Sequence, residues 1–169
     1  MLALGSNLDP RGRWLDHARE TLHELGAVEL ASTPRWNTLP VGGPPQPDFL
    51  NQMLLVQGRW DGWGWLRVAQ LAEIRAGRVR SVDKGPRRLD VDVILVAGVA
   101  ISSPELSIPH RALLDRPFLL AGAAALVPHW TPPGWHATIG ELASARLRRA
   151  WARPVPVREV ADRPGMELL

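Results

Sequence analysis

The feature that most constrains this sequence is a short run in which acidic and aliphatic residues alternate. Residues 89–95 read Leu-Asp-Val-Asp-Val-Ile-Leu, which sets Asp90 and Asp92 two positions apart. A period of two predicts a β-strand with both carboxylates on one face, about 6.6 Å apart along the backbone. Two like charges beside a β-branched run that favours burial are unfavourable unless a positive group lies between them. The run therefore predicts a strand whose acidic face is compensated by a cation.

A turn rich in positive charge comes immediately before this strand. Gly85-Pro86 marks the turn, and the cationic residues around it are Arg78, Arg80, Lys84, Arg87 and Arg88. Carboxylate oxygens suit Mg²⁺, which commonly takes one or two protein carboxylates together with substrate phosphates. Guanidinium groups match phosphate oxygens in geometry and charge. These are the parts of a phosphoryl-transfer site. The alternative is an edge strand whose acids form solvated salt bridges with the arginines.

The composition is that of one soluble globular domain over residues 1–169. The fractions of hydrophobic (46%) and charged (22%) residues suit a chain that buries a core. No run approaches about 18 apolar residues, and the start lacks a basic region and a cleavage site. We therefore expect a cytoplasmic protein without a membrane span. The absence of cysteine excludes disulfides and zinc–cysteine sites. A net charge of only +3 argues against nucleic-acid binding.

Hydrophobic periodicity predicts elements in the order β-α-β-β-α-β, followed by further helices. The predicted strands are residues 2–4, 28–39 (interrupted at Pro34), 49–56, 89–95 and a return strand at 99–101. The predicted helices start at Asp9 (with Pro10 first), Asp61, Asp115 and Glu141, and end near residues 26, 76, 127 and 151. This order predicts an α+β ferredoxin-like sandwich, in which helices pack on a mostly antiparallel sheet. Residues 130–169 add little further signal.

Residues 85–94, Gly-Pro-Arg-Arg-Leu-Asp-Val-Asp-Val-Ile, resemble the signature of the 6-hydroxymethyl-7,8-dihydropterin pyrophosphokinase family. Five other segments resemble the family in the same order: residues 5–8, 38–42, 46–51, 73–78 and 109–118. The resemblance covers roughly residues 2–130. The first strand is a few residues shorter than the family's, as a trimmed start would leave it. Lys84 stands where some members carry tryptophan, and the loop before it is slightly short.

The resemblance implies transfer of a pyrophosphoryl group from ATP to the pterin alcohol, with release of AMP. It implies that Asp90 and Asp92 bind two Mg²⁺ ions and act in catalysis together with Arg78 and Arg87. The ATP-binding residues that it implies are Gln70, Glu73, Arg78, Arg80, Arg87, His110 and Arg116. The pterin-binding residues that it implies are Thr38, Leu39, Val41, Phe49, Asn51 and Phe118, with the two phenylalanine rings stacking on the pterin.

Other interpretations of the same residues remain open. Without the resemblance, Phe49 is a core residue of a strand and Glu73 part of a solvated helix face. A basic RNA-binding module with a ferredoxin-like fold would use sheet-face aromatics, and a non-catalytic homologue would keep the fold and lose acids or arginines. We expect small-molecule substrates, no nucleic acid, no membrane and a monomer.

The loops at residues 41–47 and 78–85 contain few apolar residues, so we expect both to order over the substrates.

Overall fold

The computed structural model describes residues 1–77, 84–150 and 158–159, so Arg78 and Arg80 lie outside the described residues. The strands are β1 (Leu2–Ser6), β2 (Val28–Ser32), β3 (Trp36–Thr38), β4 (Phe49–Gln57), β5 (Asp90–Val93), β6 (Ile101–Ser102), β7 (Ser107–Ile108) and β8 (Arg158–Glu159). The helices are α1 (Arg11–Glu24), α2 (Gly62–Arg75), α3 (Pro117–Leu126) and α4 (Ile139–Ala150). That one domain covers residues 1–169 stays a prediction.

The main sheet has the strand order β5-β1-β4-β3-β8, and β2 pairs with the far half of β4. Every described pair of neighbouring strands is antiparallel. The segment β1-α1-β2/β3-β4-α2-β5 therefore has the connectivity and strand order of a ferredoxin-like sandwich, and the predicted fold class is confirmed. The predicted second strand is split at Pro34, as expected for a residue that cannot donate to a ladder.

Helices cover both faces of the sheet. On one face, Leu2, Leu4 and Val91 pack with α1 and α2 residues such as Leu15 and Trp65. On the other face the core contains Met1, Ala3, Met53, Ile94, Leu113, Leu119, Ala123 and Ile139, which draws α3 and α4 against the sheet. The second core occupies only part of its face, which leaves room for a cavity beside it.

Three of the four predicted helix starts were misplaced, since α4 starts at Ile139, two residues before Glu141, and the caps of α1 and α3 also differ. Asp61 caps α2 as expected, because its Oδ1 accepts the N–H of Gly64 at 2.7 Å. The residue capping α1 is Pro10, not Asp9, and the residue capping α3 is Arg116, not Asp115. Arg116 is extended (φ −103°, ψ 109°) because the residue before a proline is disfavoured in the helical region. The helix therefore starts at the proline that follows.

The predicted return strand at residues 99–101 is wrong. Ile101 and Ser102 form β6, which pairs with β7 in a separate ribbon and not with β5. The N–H of Val91 is bonded instead by the Glu73 carboxylate of α2, at 2.9 Å. A helix therefore covers the edge of β5 that a return strand needs.

The helices of the described residues are all too short or too polar to cross a membrane.

Candidate active site

The central strand β1 brings the acidic strand and the amide-bearing strand together. Gly5 lies opposite Asn51 of β4 on one side and opposite Asp90 of β5 on the other. Ala3, two residues earlier, lies opposite Asp92 in the same way. Side chains two residues apart share a face, so the acids and Asn51 are presented on the same side of the sheet. The small residues of β1 between them leave that face open.

Gly5 is required by close packing. A Cβ atom at this position would lie 2.9 Å from Oδ1 of Asn51 and 3.8 Å from Cβ of Asp90. The first distance is shorter than a normal contact, so any larger residue would displace the Asn51 amide. The first strand was predicted to end at residue 4, whereas Gly5 lies within β1 and makes room for its neighbours.

A cavity of about 430 Å³ lies over this face. Ten predicted site residues line it: Thr38, Leu39, Val41, Phe49, Asn51, Arg87, Asp90, Asp92, Arg116 and Phe118. They come from β3, β4, β5, the start of α3 and the loops between them. The carboxylates and the two phenylalanines thus meet in one cavity although they are separated by up to 69 positions in the sequence.

Arg87 and Asp90 form an ion pair within the cavity. Nη2 of Arg87 donates to Oδ2 of Asp90 at 2.6 Å, and the two side chains are 18% and 17% exposed. The guanidinium carbon lies 4.8 Å from the centre of the Phe49 ring, a cation–π geometry. Arg87 Nε has no hydrogen-bond partner among the described residues. The Arg87 guanidinium therefore contacts both an acidic residue and an aromatic residue of the cavity, Asp90 and Phe49.

Asp92 lacks the ion pair that Asp90 makes with Arg87. Its carboxylate makes no hydrogen bond or ion pair with the part of the chain that the structure describes. Burial, and then the neighbouring Asp90 carboxylate, raise the pKa of Asp92 to about 7. Arg116 and Arg87 lower this pKa only in part. A half-buried carboxylate without a hydrogen-bond or ion-pair partner among the described residues gains from a cation placed beside it.

The donor set suits a hard cation. Two carboxylates project from one strand face, and the described residues contain no cluster of three or more acidic, histidine or cysteine side chains that could hold a metal by itself. Mg²⁺ typically takes one or two protein carboxylates and completes its shell with substrate phosphates and water. Asp90 and Asp92 therefore fit Mg²⁺ that is bound together with a phosphate substrate.

The apolar side of the cavity is shaped for a flat polar ligand. The Asn51 Nδ2 donates to Oγ1 of Thr38 at 2.8 Å, which fixes the amide on the face of β4. Phe49 is 9% exposed, and its ring still borders the cavity. Phe118 is half-buried at the first turn of α3. Aromatic rings beside an oriented amide can bind a planar heterocycle and read its edge.

His110 and Arg116 flank the acidic end. Arg116 makes no ion pair with any described residue, which leaves its guanidinium for a ligand. The Nδ1 of His110 accepts the N–H of Ala112 at 3.2 Å, and the residue does not line the cavity. Burial and then the charges of Arg116 and Arg111 lower the pKa of His110. A neutral imidazole at neutral pH follows, with Nε2 as its remaining polar atom.

Two predicted nucleotide-side residues lie apart from the cavity. Gln70 is exposed on α2, whereas Glu73 is buried (6% exposed) and accepts the Val91 N–H. Val91 stands between the two aspartates, so Glu73 fixes the strand that carries them. Glu73 is thus neither on a solvated helix face nor in the cavity. The predicted contacts of both residues with ATP stay predictions.

A family model described as 7,8-dihydro-6-hydroxymethylpterin-pyrophosphokinase (HPPK) matches residues 1–128. The chain belongs to this family. The resemblance seen in residues 85–94 is thereby confirmed, and residues 129–169 lie beyond the match.

Individual relatives agree with the family match. The 2-amino-4-hydroxy-6-hydroxymethyldihydropteridine pyrophosphokinase of Synechocystis is 30% identical over 142 residues, which cover 84% of this chain and 73% of that protein. The folic acid synthesis protein fol1 of Schizosaccharomyces pombe is 31% identical over 141 residues, which cover 83% of this chain and 19% of that protein. The chain thus spans about a fifth of the yeast protein.

A solved structure supports the fold. The crystal structure of wild-type Plasmodium falciparum HPPK-DHPS with SDX-DHP superposes with a TM-score of 0.62 at 13% sequence identity, over 90% of this chain and 44% of that chain. At this identity the likeness shows the fold alone. The HPPK-like α+β architecture therefore has support from the strand order and from a solved structure.

Two further residues at the cavity of this family member, Asn7 and Gln46, were not predicted as site residues, and Lys84 was predicted only as one of the cations of the turn. Asn7 is 1% exposed and bonds to both loops that border the cavity, while Gln46 and Lys84 line the cavity itself. Asn7 lies beyond the predicted first strand at residues 2–4, and Gln46 lies in the loop at residues 41–47 that was expected to order over the substrates. The only signal in the sequence is that both lie inside segments that resemble the family, residues 5–8 and 46–51.

Proposed function

We propose that the chain transfers a pyrophosphoryl group from ATP to the hydroxymethyl oxygen of 6-hydroxymethyl-7,8-dihydropterin, a reaction of folate biosynthesis. The bond between the β-phosphorus and the oxygen that bridges it to the α-phosphorus breaks. A new bond forms between the β-phosphorus and the hydroxymethyl oxygen of the pterin. AMP leaves, and the hydroxyl proton is released. The observation that carries the proposal is one cavity, in a member of this family, that is lined by both carboxylates and both phenylalanines.

The pterin is assigned to the apolar end of the cavity. Phe49 and Phe118 would stack on its faces, while Leu39 and Val41 would pack against it from the loop. Asn51 and the backbone near Thr38 would bond to the polar edge of the ring. The Thr38–Asn51 hydrogen bond supports this assignment, because an oriented amide loses less entropy when a ligand binds.

The triphosphate is assigned to the acidic and basic end. Asp90 and Asp92 would hold two Mg²⁺ ions, which when bound would neutralise phosphate charge and clamp the attacking and leaving oxygens. Arg87 and Arg116 would bind phosphate oxygens from two sides, since both line the cavity. His110 would donate from Nε2 at the edge of the site. Arg78 and Arg80 would complete the cationic shell, and Gln70 would contact the nucleotide outside it.

Catalysis would come from positioning and from charge stabilisation. Phosphoryl transfer needs little covalent help from the protein, so holding the pterin oxygen in line with the β-phosphorus accounts for much of the rate. Glu73 would act by fixing Val91 between the two aspartates. A cytoplasmic location, a monomeric state and the absence of nucleic-acid binding stay predictions.

The test is a nucleotide-product assay. Protein, ATP, Mg²⁺ and the pterin alcohol are mixed, and the nucleotides are separated by chromatography. AMP that appears only when the pterin is present supports the proposal. ADP, or AMP formed without the pterin, would contradict it. Asp92→Asn should remove the activity, whereas Asp9→Asn is the matched control because Asp9 is 90% exposed on the surface.

A further inference from the structure

Lys84 is a cation at the cavity to which the proposed reaction assigns no role. It is the only lysine among the 20 lysine and arginine residues of the chain. It is exposed, and it lines the cavity. Lys84 makes no ion pair with any residue that the structure describes, whereas Arg87, three residues later, is paired with Asp90. A cation without an anionic partner at the wall of a cavity is available to an anionic ligand.

The backbone of Lys84 is held beside the loop that follows β3. Its φ of 52° lies in the left-handed region that a lysine seldom adopts, and such a conformation persists where the surroundings hold it in place. Nε2 of Gln46 donates to the carbonyl oxygen of Lys84 at 2.8 Å. A Cβ on Gly43 would lie only 2.5 Å from the same oxygen, which only glycine permits. The side chain of Lys84 therefore starts from a defined point at the cavity.

The side chain of Lys84 lies along Gly42 of the same loop. A Cβ atom on Gly42 would lie 3.6 Å from Cδ and 3.7 Å from Nζ of Lys84. Gly42 also lines the cavity, next to Leu39 and Val41, the two loop residues that are assigned to the pterin. The ammonium group of Lys84 is therefore placed beside the part of the cavity wall that is assigned to the pterin.

The charges of the two substrates determine which group Lys84 can bind. The pterin alcohol carries no phosphate, so it offers the ammonium group no anion, whereas ATP carries a triphosphate. In the proposed reaction the β- and γ-phosphates move to the pterin, and the α-phosphate leaves with AMP. A cation beside the pterin therefore faces the phosphates that become attached to the pterin. The compact charge of an ammonium group on a flexible stem suits such a contact.

We propose that Lys84 binds the diphosphate group that is transferred, first as part of ATP and then as part of the pterin diphosphate product. The proposal rests on the proposed function, because that function places the pterin beside Gly42. Lys84 then distinguishes the pterin diphosphate from the pterin alcohol and from AMP, neither of which carries the transferred group. The alternative is a solvated surface cation that binds no ligand.

The test is calorimetric titration, in the presence of Mg²⁺, of the pterin alcohol, the pterin diphosphate and AMP. Lys84→Met removes the charge and keeps the length of the side chain, so we expect affinity for the pterin diphosphate to fall at least about tenfold. Affinities for the alcohol and for AMP should stay within about twofold of the parent's. Lys84→Arg keeps the charge and should bind the diphosphate within about threefold of the parent. Arg13→Met, which removes an exposed cation of α1 that does not line the cavity, is the matched control.

Chemical modification of the parent protein gives a second measurement, because Lys84 carries the only side-chain amine. The amine of Met1 is buried and donates to the carbonyl oxygen of Leu95. Acetic anhydride acetylates exposed amines, and mass spectrometry of peptides measures the rate at Lys84. We expect the pterin diphosphate to slow this acetylation at least about tenfold, and the alcohol and AMP to slow it less than about threefold. Equal protection by the alcohol and the diphosphate would show that bound pterin merely covers the lysine, which overturns the proposal.

A Lys84→Met protein with the parent's affinity for the pterin diphosphate also overturns the proposal. Equal weakening of the alcohol and the diphosphate indicates a purely structural role, and equal weakening of AMP and the diphosphate indicates a contact with the α-phosphate; either result overturns it. The product assay separates this claim from the proposed function. A parent that forms AMP, with a Lys84→Met variant that binds the diphosphate as the parent does, disproves the role of Lys84 alone. A parent that binds the diphosphate through Lys84 but forms no AMP disproves the proposed function alone.

Discussion

Arg87 donates a 2.6 Å hydrogen bond to the carboxylate of Asp90, and both side chains are less than one-fifth exposed. The neighbouring Asp92 has no such partner among the described residues, and its pKa is raised to about 7. The two carboxylates that would bind the metal therefore differ in charge compensation. Removing one or the other should have the same effect on activity and opposite effects on stability.

Asp92→Asn should lower turnover at least a hundredfold and stabilise the metal-free protein. Because the pKa of Asp92 is about 7 in the folded protein and about 4 in the unfolded chain, the folded state binds more protons between these values. The free energy of unfolding of the parent therefore falls as the pH rises from about 4 to about 7 and is level above that.

We expect Asp92→Asn to be more stable than the parent at about pH 8, by on the order of 2 kcal/mol, and to show little difference at about pH 4. Urea unfolding without divalent ions measures both values, with Asp9→Asn as the exposed control. A variant that is less stable than the parent at about pH 8 would show that Asp92 is already compensated.

Asp90→Asn should also lower turnover at least a hundredfold, but it should destabilise the protein. The substitution leaves the Arg87 guanidinium, only 18% exposed, without its anionic partner. An uncompensated, partly buried charge costs about 1–3 kcal/mol. Urea unfolding of the same set of proteins measures this, and a variant as stable as the parent would indicate that the ion pair contributes nothing.

Binding of Mg²⁺ should depend on pH because Asp92 must lose its proton to coordinate a cation. We expect Mg²⁺ affinity to fall about tenfold for each pH unit below about 7 and to be constant above it. Calorimetric titration of Mg²⁺ between about pH 5.5 and 8 measures the dependence. Asp92→Asn should bind weakly at every pH, and a parent affinity that does not change over this range would rule out Asp92 as the titrating ligand.

Gly5→Ala should weaken pterin binding and leave ATP binding nearly unchanged. The added Cβ would lie 2.9 Å from Oδ1 of Asn51 and would displace the amide. We expect the KM for the pterin to rise at least tenfold and the KM for ATP to stay within about twofold. Gly12→Ala is the control, since its Cβ would meet only the end of a flexible Arg35 side chain at 3.4 Å. A Gly5→Ala enzyme with the parent's KM for the pterin would show that Asn51 does not bind the pterin.

The parts of the site that were predicted from sequence depend on local patterns. The alternation in residues 89–95 places both aspartates on one face without any tertiary information, and Asp61 caps α2 three residues before the N–H that it accepts. The caps of α1 and α3 were misplaced because Asp9 and Asp115, which are favourable N-cap residues, lie one residue before the residues that cap these helices. The extended backbone of Pro10 and Arg116 places the caps at these two residues.

The missed parts depend on contacts between distant segments. Nothing in the sequence near Asn7 shows that it meets Gln46 and Arg87. Helical periodicity treats Gln70 and Glu73 alike, yet only Glu73 reaches the backbone of β5 and is buried there. Such contacts are set by how the layers pack, which local patterns do not contain.

The central claim is that a two-phosphate unit moves from ATP to the pterin, and phosphorus NMR of the complete reaction tests it most directly. A mixture of protein, ATP, Mg²⁺ and the pterin alcohol should give AMP and a pterin product with two mutually coupled phosphorus signals, in equal amounts. Replacing the parent by Asp92→Asn should leave the ATP signals unchanged over the same time. A pterin product with a single phosphorus signal together with ADP, or free phosphate without any pterin product, would contradict the claim.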